Sequence, residues 1–150
     1  LNQGSNGPSK RFEIDRLGRG LMNVLGIGTD IIECLRIGQM IERHGEIFLE
    51  RVYTPREIEY CHRRKAATQH FAGRWAAKEA VLKAMGTGWS KGIKWVDIEV
   101  RNEMGGKPSI ALGGVARELC ADQGIADMMI STSHCRHYAT AYALAVGPAM

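Results

Sequence analysis

The stretch VLGIGTDIIE, residues 24–33, constrains the fold of this chain more than any other segment. It is an aliphatic run with the alternation of a strand, interrupted by two glycines and an aspartate. Side chains along a strand point to opposite faces with period 2. Leu25, Ile27, Thr29 and Ile31 therefore share one face, and Gly26, Gly28 and Asp30 share the other. The glycine face is an open strip where another backbone or a ligand can approach closely, and it ends in an acid. A dinucleotide fingerprint is excluded, because the third glycine it needs three residues on is replaced by Ile31. Taken alone, Asp30 reads either as the cap of a following helix or as a ligand-binding carboxylate.

The 150 residues suit one domain with a core of its own. Apolar residues make up 45% and charged ones 24%, an ordinary globular balance. No apolar run approaches the roughly 18 residues of a membrane helix, and no signal peptide is evident, so a cytoplasmic protein without a membrane partner is expected. Cys34, Cys61, Cys120 and Cys135 lie far apart with no C-x-x-C pair, which suggests free thiols. The net charge is +4, but residues 1–21 hold four of the basic and two of the acidic residues. This segment reads as an N-terminal extension or tag, outside a domain of residues 22–150. What remains is only about +2 and has no aromatic residues interleaved with a basic patch, which argues against nucleic acid as a partner.

After the first strand, ECLRIGQMIERHG places Leu35, Ile37, Met40 and Ile41 at near-helical spacing and ends at Gly45. TPREIEYCHRR announces a second helix, with Thr54 as N-cap, Pro55 first in the helix and Glu57 completing a capping box. HFAGRWAAKEAVLKAMG is a third, ended by Gly86. From residue 90 the period becomes 2: IKWVDIEVR reads as a strand, NEMGGKP as a turn and SIAL as its hairpin partner. VARELCADQG is a short helix, and DMMISTSH and HYATAYALAV are two more strands. The order predicts a single α+β domain with a largely antiparallel sheet packed with helices.

On the third helix Ala76, Ala77, Ala80 and Ala84 fall within one arc, a small-residue face suited to close packing. Off that face stand two i, i+4 pairs, Arg74 with Lys78 and Glu79 with Lys83. By themselves they read as solvated charges, the second as a surface ion pair. Together with GIGTDIIE, however, FAGRWAAKEAVLKAMGTG resembles the holo-acyl-carrier-protein synthase type of 4′-phosphopantetheinyl transferase. Members of that family carry a GIGTDIIE strand near the N-terminus and an AxKEAxxKA helix about fifty residues later; here Asp30 and Glu79 are 49 apart. DIEV, GGKPSI and STSH followed by YATAYA match later family segments in the same order, so the resemblance runs from Met22 to the end.

The resemblance implies the phosphopantetheinyl transferase fold and transfer of 4′-phosphopantetheine from coenzyme A to a serine of an acyl carrier protein. It makes Asp30 and Glu79 ligands of Mg²⁺, a hard cation usually held by a few carboxylates, waters and phosphate oxygens. It makes Lys83 a stabiliser of phosphoryl charge and leaves Glu79 a second role, as general base. Coenzyme A contacts are implied for Arg74, Lys83, Lys107 and His134, with Lys107 reaching in from a neighbouring subunit of a homotrimer. The first helix, through Arg36 and Met40, is implied to dock the carrier protein. By spacing alone, Arg36 and Arg43 form a charged face about two turns long, GGKP is a turn, and His134 with His137 lacks a third ligand for a metal.

Overall fold

A computed structural model describes residues 21–89 and 92–149; residues 1–20, and with them all of the N-terminal segment but Leu21, lie outside the described residues. Strand β1 (Met22–Glu33) leads into helix α1 (Cys34–Val52), α2 (Pro55–His62) and α3 (Ala67–Met85). The hairpin β2 (Ile98–Asn102) and β3 (Pro108–Leu112) follows, then α4 (Gly114–Asp122), β4 (Asp127–His134) and β5 (Tyr138–Pro148). The main sheet has the order β1-β5-β4, antiparallel throughout, and β2 with β3 forms a second antiparallel pair. The α+β architecture is the one the sequence order implied.

The open strip on β1 is filled by the backbone of α3. A Cβ on Gly26 would stand 1.9 Å from the Ala84 carbonyl oxygen, and one on Gly28 1.9 Å from that of Ala80. Beside this strip, β5 turns Ala139, Ala141, Ala143 and Ala145 inward, all fully buried. The helix answers with its own small-residue face, Ala76, Ala77, Ala80 and Ala84. Small side chains on both partners let helix and sheet approach closely, so the core here is backbone against backbone, with larger groups such as Phe71, Leu82 and Ile98 around it.

Two elements differ from their reading in sequence. The first helical segment of α1 ends at Gly45 as read (φ 52°, ψ −132°), but the chain then turns helical again, burying Phe48, Leu49 and Val52. Leu35 is exposed, and Cys34 and Ile37 take the core positions instead. The strand expected over IKWVDIEVR begins only at Ile98, because Trp95–Asp97 forms a 3₁₀ turn. Asp97 explains it: its Oδ2 accepts the Lys94 N–H at 3.0 Å, and its own N–H donates to the Lys94 carbonyl, a local closure that competes with strand pairing. The capping box of α2 is formed as read, with Thr54 and Glu57 exchanging side-chain and backbone hydrogen bonds. The four cysteines are unpaired. Among the described residues no helix is long and apolar enough to cross a membrane.

Candidate functional site

One flank of α3 gathers Asp30, Glu79 and Lys83. Because β1 runs antiparallel to the helix, Gly26 lies at Ala84 and Gly28 at Ala80. Two strand residues cover about the same distance as four helical ones, so Asp30 falls near the level of Ala76, within the helical turn that leads to Glu79. Lys83 reaches back over this gap, its Nζ donating to Asp30 Oδ1 at 3.0 Å and to the Thr29 carbonyl at 2.8 Å. The sequence spacing allowed Lys83 an ion pair with Glu79; its partner is Asp30. Glu79 is half-buried and its Oε1 accepts the indole N–H of Trp89 at 3.1 Å.

Asp30 is not the N-cap of α1, since Glu33 takes that place without a side-chain bond. Instead its backbone oxygen accepts from the Thr140 hydroxyl at 2.9 Å, which fixes the strand end beside β5. Each carboxylate thus keeps one oxygen that accepts no hydrogen bond among the described residues, Oδ2 of Asp30 and Oε2 of Glu79. No group of three or more histidine, cysteine, aspartate and glutamate side chains suited to a metal occurs among them. Two carboxylates supply the hard oxygen donors that Mg²⁺ takes alongside water and phosphate oxygens, without the histidine and cysteine ligands usual at zinc.

The other flank of α3 carries Arg74. Glu79 lies five residues on, about 140° around the helix, so the two cannot face the same way. Arg74 is buried, with Nη2 donating to Asn102 Oδ1 at 2.8 Å and its guanidinium 3.9 Å from the Tyr60 ring centroid; its buried Nε has no partner among the described residues. His134 comes from the inner face of β4, opposite Ala139, and meets His70 of α3 ring to ring at 5.1 Å. Arg74, His70, Tyr60, Asn102, Pro108 and His134 line one cavity of about 270 Å³. Lys107, exposed on the hairpin turn, stands next to Pro108 at its rim. The expected residues therefore fall into two groups, Asp30 with Glu79 and Lys83, and Arg74 with His134 and Lys107.

Lys78 belongs to neither. It is fully buried, with Nζ bonded to Glu57 Oε1 at 2.7 Å and to the Val52 and Trp95 carbonyls, so it is neither a solvated charge nor open to a phosphate. Tyr60, His70, Asn102 and Trp89 were missed by sequence reasoning. None stands in a spacing that carries chemistry, and Asn102 lay hidden in an ordinary hairpin turn.

Comparison with known proteins gives this geometry its family. A model of the 4′-phosphopantetheinyl transferase superfamily matches residues 26–145. The chain belongs to that superfamily. A holo-[acyl-carrier-protein] synthase of Protochlamydia amoebophila is 50% identical over 120 residues, 80% of this chain and 96% of the relative. Among solved structures, the acyl carrier protein synthase of Plasmodium yoelii with ADP bound has a TM-score of 0.77 at 34% identity, covering 87% of this chain and 100% of that one. The Helicobacter pylori holo-[acyl-carrier-protein] synthase in complex with coenzyme A has a TM-score of 0.71 at 32% identity, covering 79% and 98%. Membership makes the chain a phosphopantetheinyl transferase, and both residue groups lie inside the superfamily match.

Proposed function

We propose that this chain transfers 4′-phosphopantetheine from coenzyme A to a serine of an apo acyl carrier protein, in a Mg²⁺-dependent reaction that releases adenosine 3′,5′-bisphosphate and supports fatty acid biosynthesis in the cytoplasm. The observation that carries this reading is the ion pair of Lys83 with Asp30 where β1 packs on α3, with Glu79 one helical turn from Lys83 on the same side. The relatives' names and the coenzyme A complex of the Helicobacter pylori structure support the substrates.

Phosphoryl transfer needs charge neutralisation and positioning more than covalent help. Asp30 and Glu79 would hold Mg²⁺, which supplies neutralisation of the pyrophosphate oxygens. Lys83, half-exposed and anchored beside Asp30, is free to swing its ammonium onto phosphoryl charge as that charge develops. Glu79 serves as general base for the serine hydroxyl.

Arg74, Lys107 and His134 bind the remaining phosphate and the nucleotide of coenzyme A, across a subunit boundary. The two flanks of α3 face apart, so one ligand touches both groups only if they come from different chains. The outer face of the main sheet supports a homotrimer: Leu25, Ile27, Ile31, Met129 and Tyr142 are all large and exposed on it, a patch of the kind that marks subunit contact. The carrier protein docks on α1, where Arg36 is exposed and Met40 half-buried. This helix starts four residues after Asp30, which brings an acidic partner next to the carboxylates.

Incubation with coenzyme A, Mg²⁺ and an apo carrier protein should add the phosphopantetheine mass, and a chelator should prevent it. Asp30→Asn and Glu79→Gln should each abolish transfer while leaving the fold intact; near-normal turnover of either removes that residue from the mechanism. Arg36→Glu should raise the KM for carrier protein at low ionic strength.

A further inference from the structure

Glu79 is held by a donor outside its own helix. Trp89 lies three residues beyond Gly86, and its indole N–H meets Glu79 Oε1 at 3.1 Å. That indole is fixed by more than its hydrogen bond. Its ring packs at a tilt on Trp95 with centroids 3.8 Å apart, and Trp95 packs in the same way on Trp75 at 4.2 Å. Trp75 stands on α3 four residues before Glu79, one turn away on nearly the same side. The three rings therefore close a loop that leaves α3 at Trp75 and returns to it at Glu79. Two further contacts brace it: Phe48 of α1 stacks behind Trp75 at 6.1 Å, and the Trp95 carbonyl accepts from buried Lys78 at 3.2 Å.

The chemistry of the donor matters. A glutamate's last torsion is broad and nearly two-fold, so an unheld carboxylate presents its oxygens in many orientations. An indole N–H only donates and carries no charge. It fixes the carboxylate plane through Oε1 and leaves Oε2 and the full negative charge available, whereas a lysine in its place would compete with a cation. We propose that Trp89 is a positioning residue for Glu79, orienting its carboxylate toward the divalent cation shared with Asp30. This rests on the reading of Asp30 and Glu79 as that cation's ligands.

Trp89→Phe keeps a ring on Trp95 and removes the donor. In the full-length protein, Mn²⁺ binding followed by the electron paramagnetic resonance signal of the free ion should weaken about 10–100-fold, the usual loss when a ligand's orienting partner is removed. The Mg²⁺ concentration for half-maximal activity should rise by the same factor, with the KM for coenzyme A unchanged at saturating Mg²⁺. Trp89→Phe with wild-type cation affinity would reduce Trp89 to a packing residue. Glu79→Gln separates the two readings: if it leaves Mn²⁺ binding intact, the cation is not at Glu79 and the underlying assignment falls; if it abolishes binding and Trp89→Phe does not weaken it, only the positioning role falls. Should Trp89→Phe fail to fold, the wild-type protein still decides. One of its three indole ¹⁵N–H resonances should shift on addition of Mg²⁺ and stay still in Glu79→Gln, and three unmoved resonances in the wild type overturn the proposal.

Discussion

Lys78 and Glu79 are neighbours in sequence with opposite fates. Glu79 opens onto the carboxylate group, while Lys78 points into the core and meets Glu57, whose other oxygen accepts the Val100 N–H at 3.3 Å. Burial pushes the Lys78 ammonium below its ordinary value and Glu57 pulls it back up. The pair joins α2, α3 and β2, and removing one member strands the other charge. Lys78→Met should therefore cost about 3–5 kcal/mol, read as a lower urea midpoint, and the double variant with Glu57→Gln should recover part of that loss. A single variant as stable as the wild type would show that water reaches Glu57. His70 makes a second prediction. Burial, then His134, Arg64 and Arg74, hold its imidazole below the ordinary 6.5, with the Tyr60 ring also against it. The unfolded chain thus takes up the proton more readily. The stability His70 contributes is complete above pH 6.5 and is lost as the pH falls through the lower folded value. His70→Phe should flatten the fall of the ligand-free protein's Tm between about pH 7 and 5, followed by differential scanning fluorimetry; an unchanged slope assigns the acid lability elsewhere.

At the scale of elements, the packing of β1 on α3 sets the site, because it decides where Asp30 stands relative to Glu79 and Lys83. Gly28→Ala would press a methyl into the backbone of Ala80 and Ala84, with the Ala80 oxygen 1.9 Å and the Ala84 nitrogen 2.7 Å away. Neither atom can rotate aside. The substitution should cost about 3 kcal/mol or more and should lower cation affinity as well, by moving the strand off the helix; Thr29→Ala, on the outer face, is the control that should do neither. This close approach was legible in the sequence as an open glycine strip and, separately, as an alanine face, since both are local patterns of period 2 and 3.6. The capping box of α2 was legible for the same reason. The helix that resumes after Gly45 was not, because this second segment is stabilised by tertiary burial of Phe48, Leu49 and Val52 and not by a pattern of its own. Trp95 was read as part of a strand, yet Asp97 closes a turn there and the ring packs against residues 20 and 6 positions before it. Contacts of that kind, like Asn102 on Arg74 or Trp89 on Glu79, depend on the assembled chain and leave no periodic trace.

At the scale of the whole molecule, the expected site residues divide between two flanks of α3, and the proposal that a second subunit joins them can be tested directly. β1 carries Asp30 on one side of the buried β5 strand, and β4 carries His134 on the other. If the catalytic centre joins the Asp30 half of one subunit to the Arg74 and His134 half of the next, two inactive variants should restore each other. Glu79→Gln disables the first half. Lys107→Ala combined with His134→Ala disables the second, and both of those side chains are exposed, so neither loss opens a cavity. Each variant alone should be inactive. After dissociation and reassembly of equal amounts, a site is intact only where an unaltered Glu79 meets an unaltered Lys107 and His134 from its neighbour, which chance assortment gives for about a quarter of the sites in a ring of like subunits. Activity should recover to about that fraction, and mixing without reassembly should recover none. A reassembled mixture that stays inactive would mean that each chain completes its site alone. Ile27→Glu, placed on the exposed outer sheet face, gives the complementary result: it should yield monomers that keep both halves intact and cannot join them, so that transfer is lost while each chain remains folded.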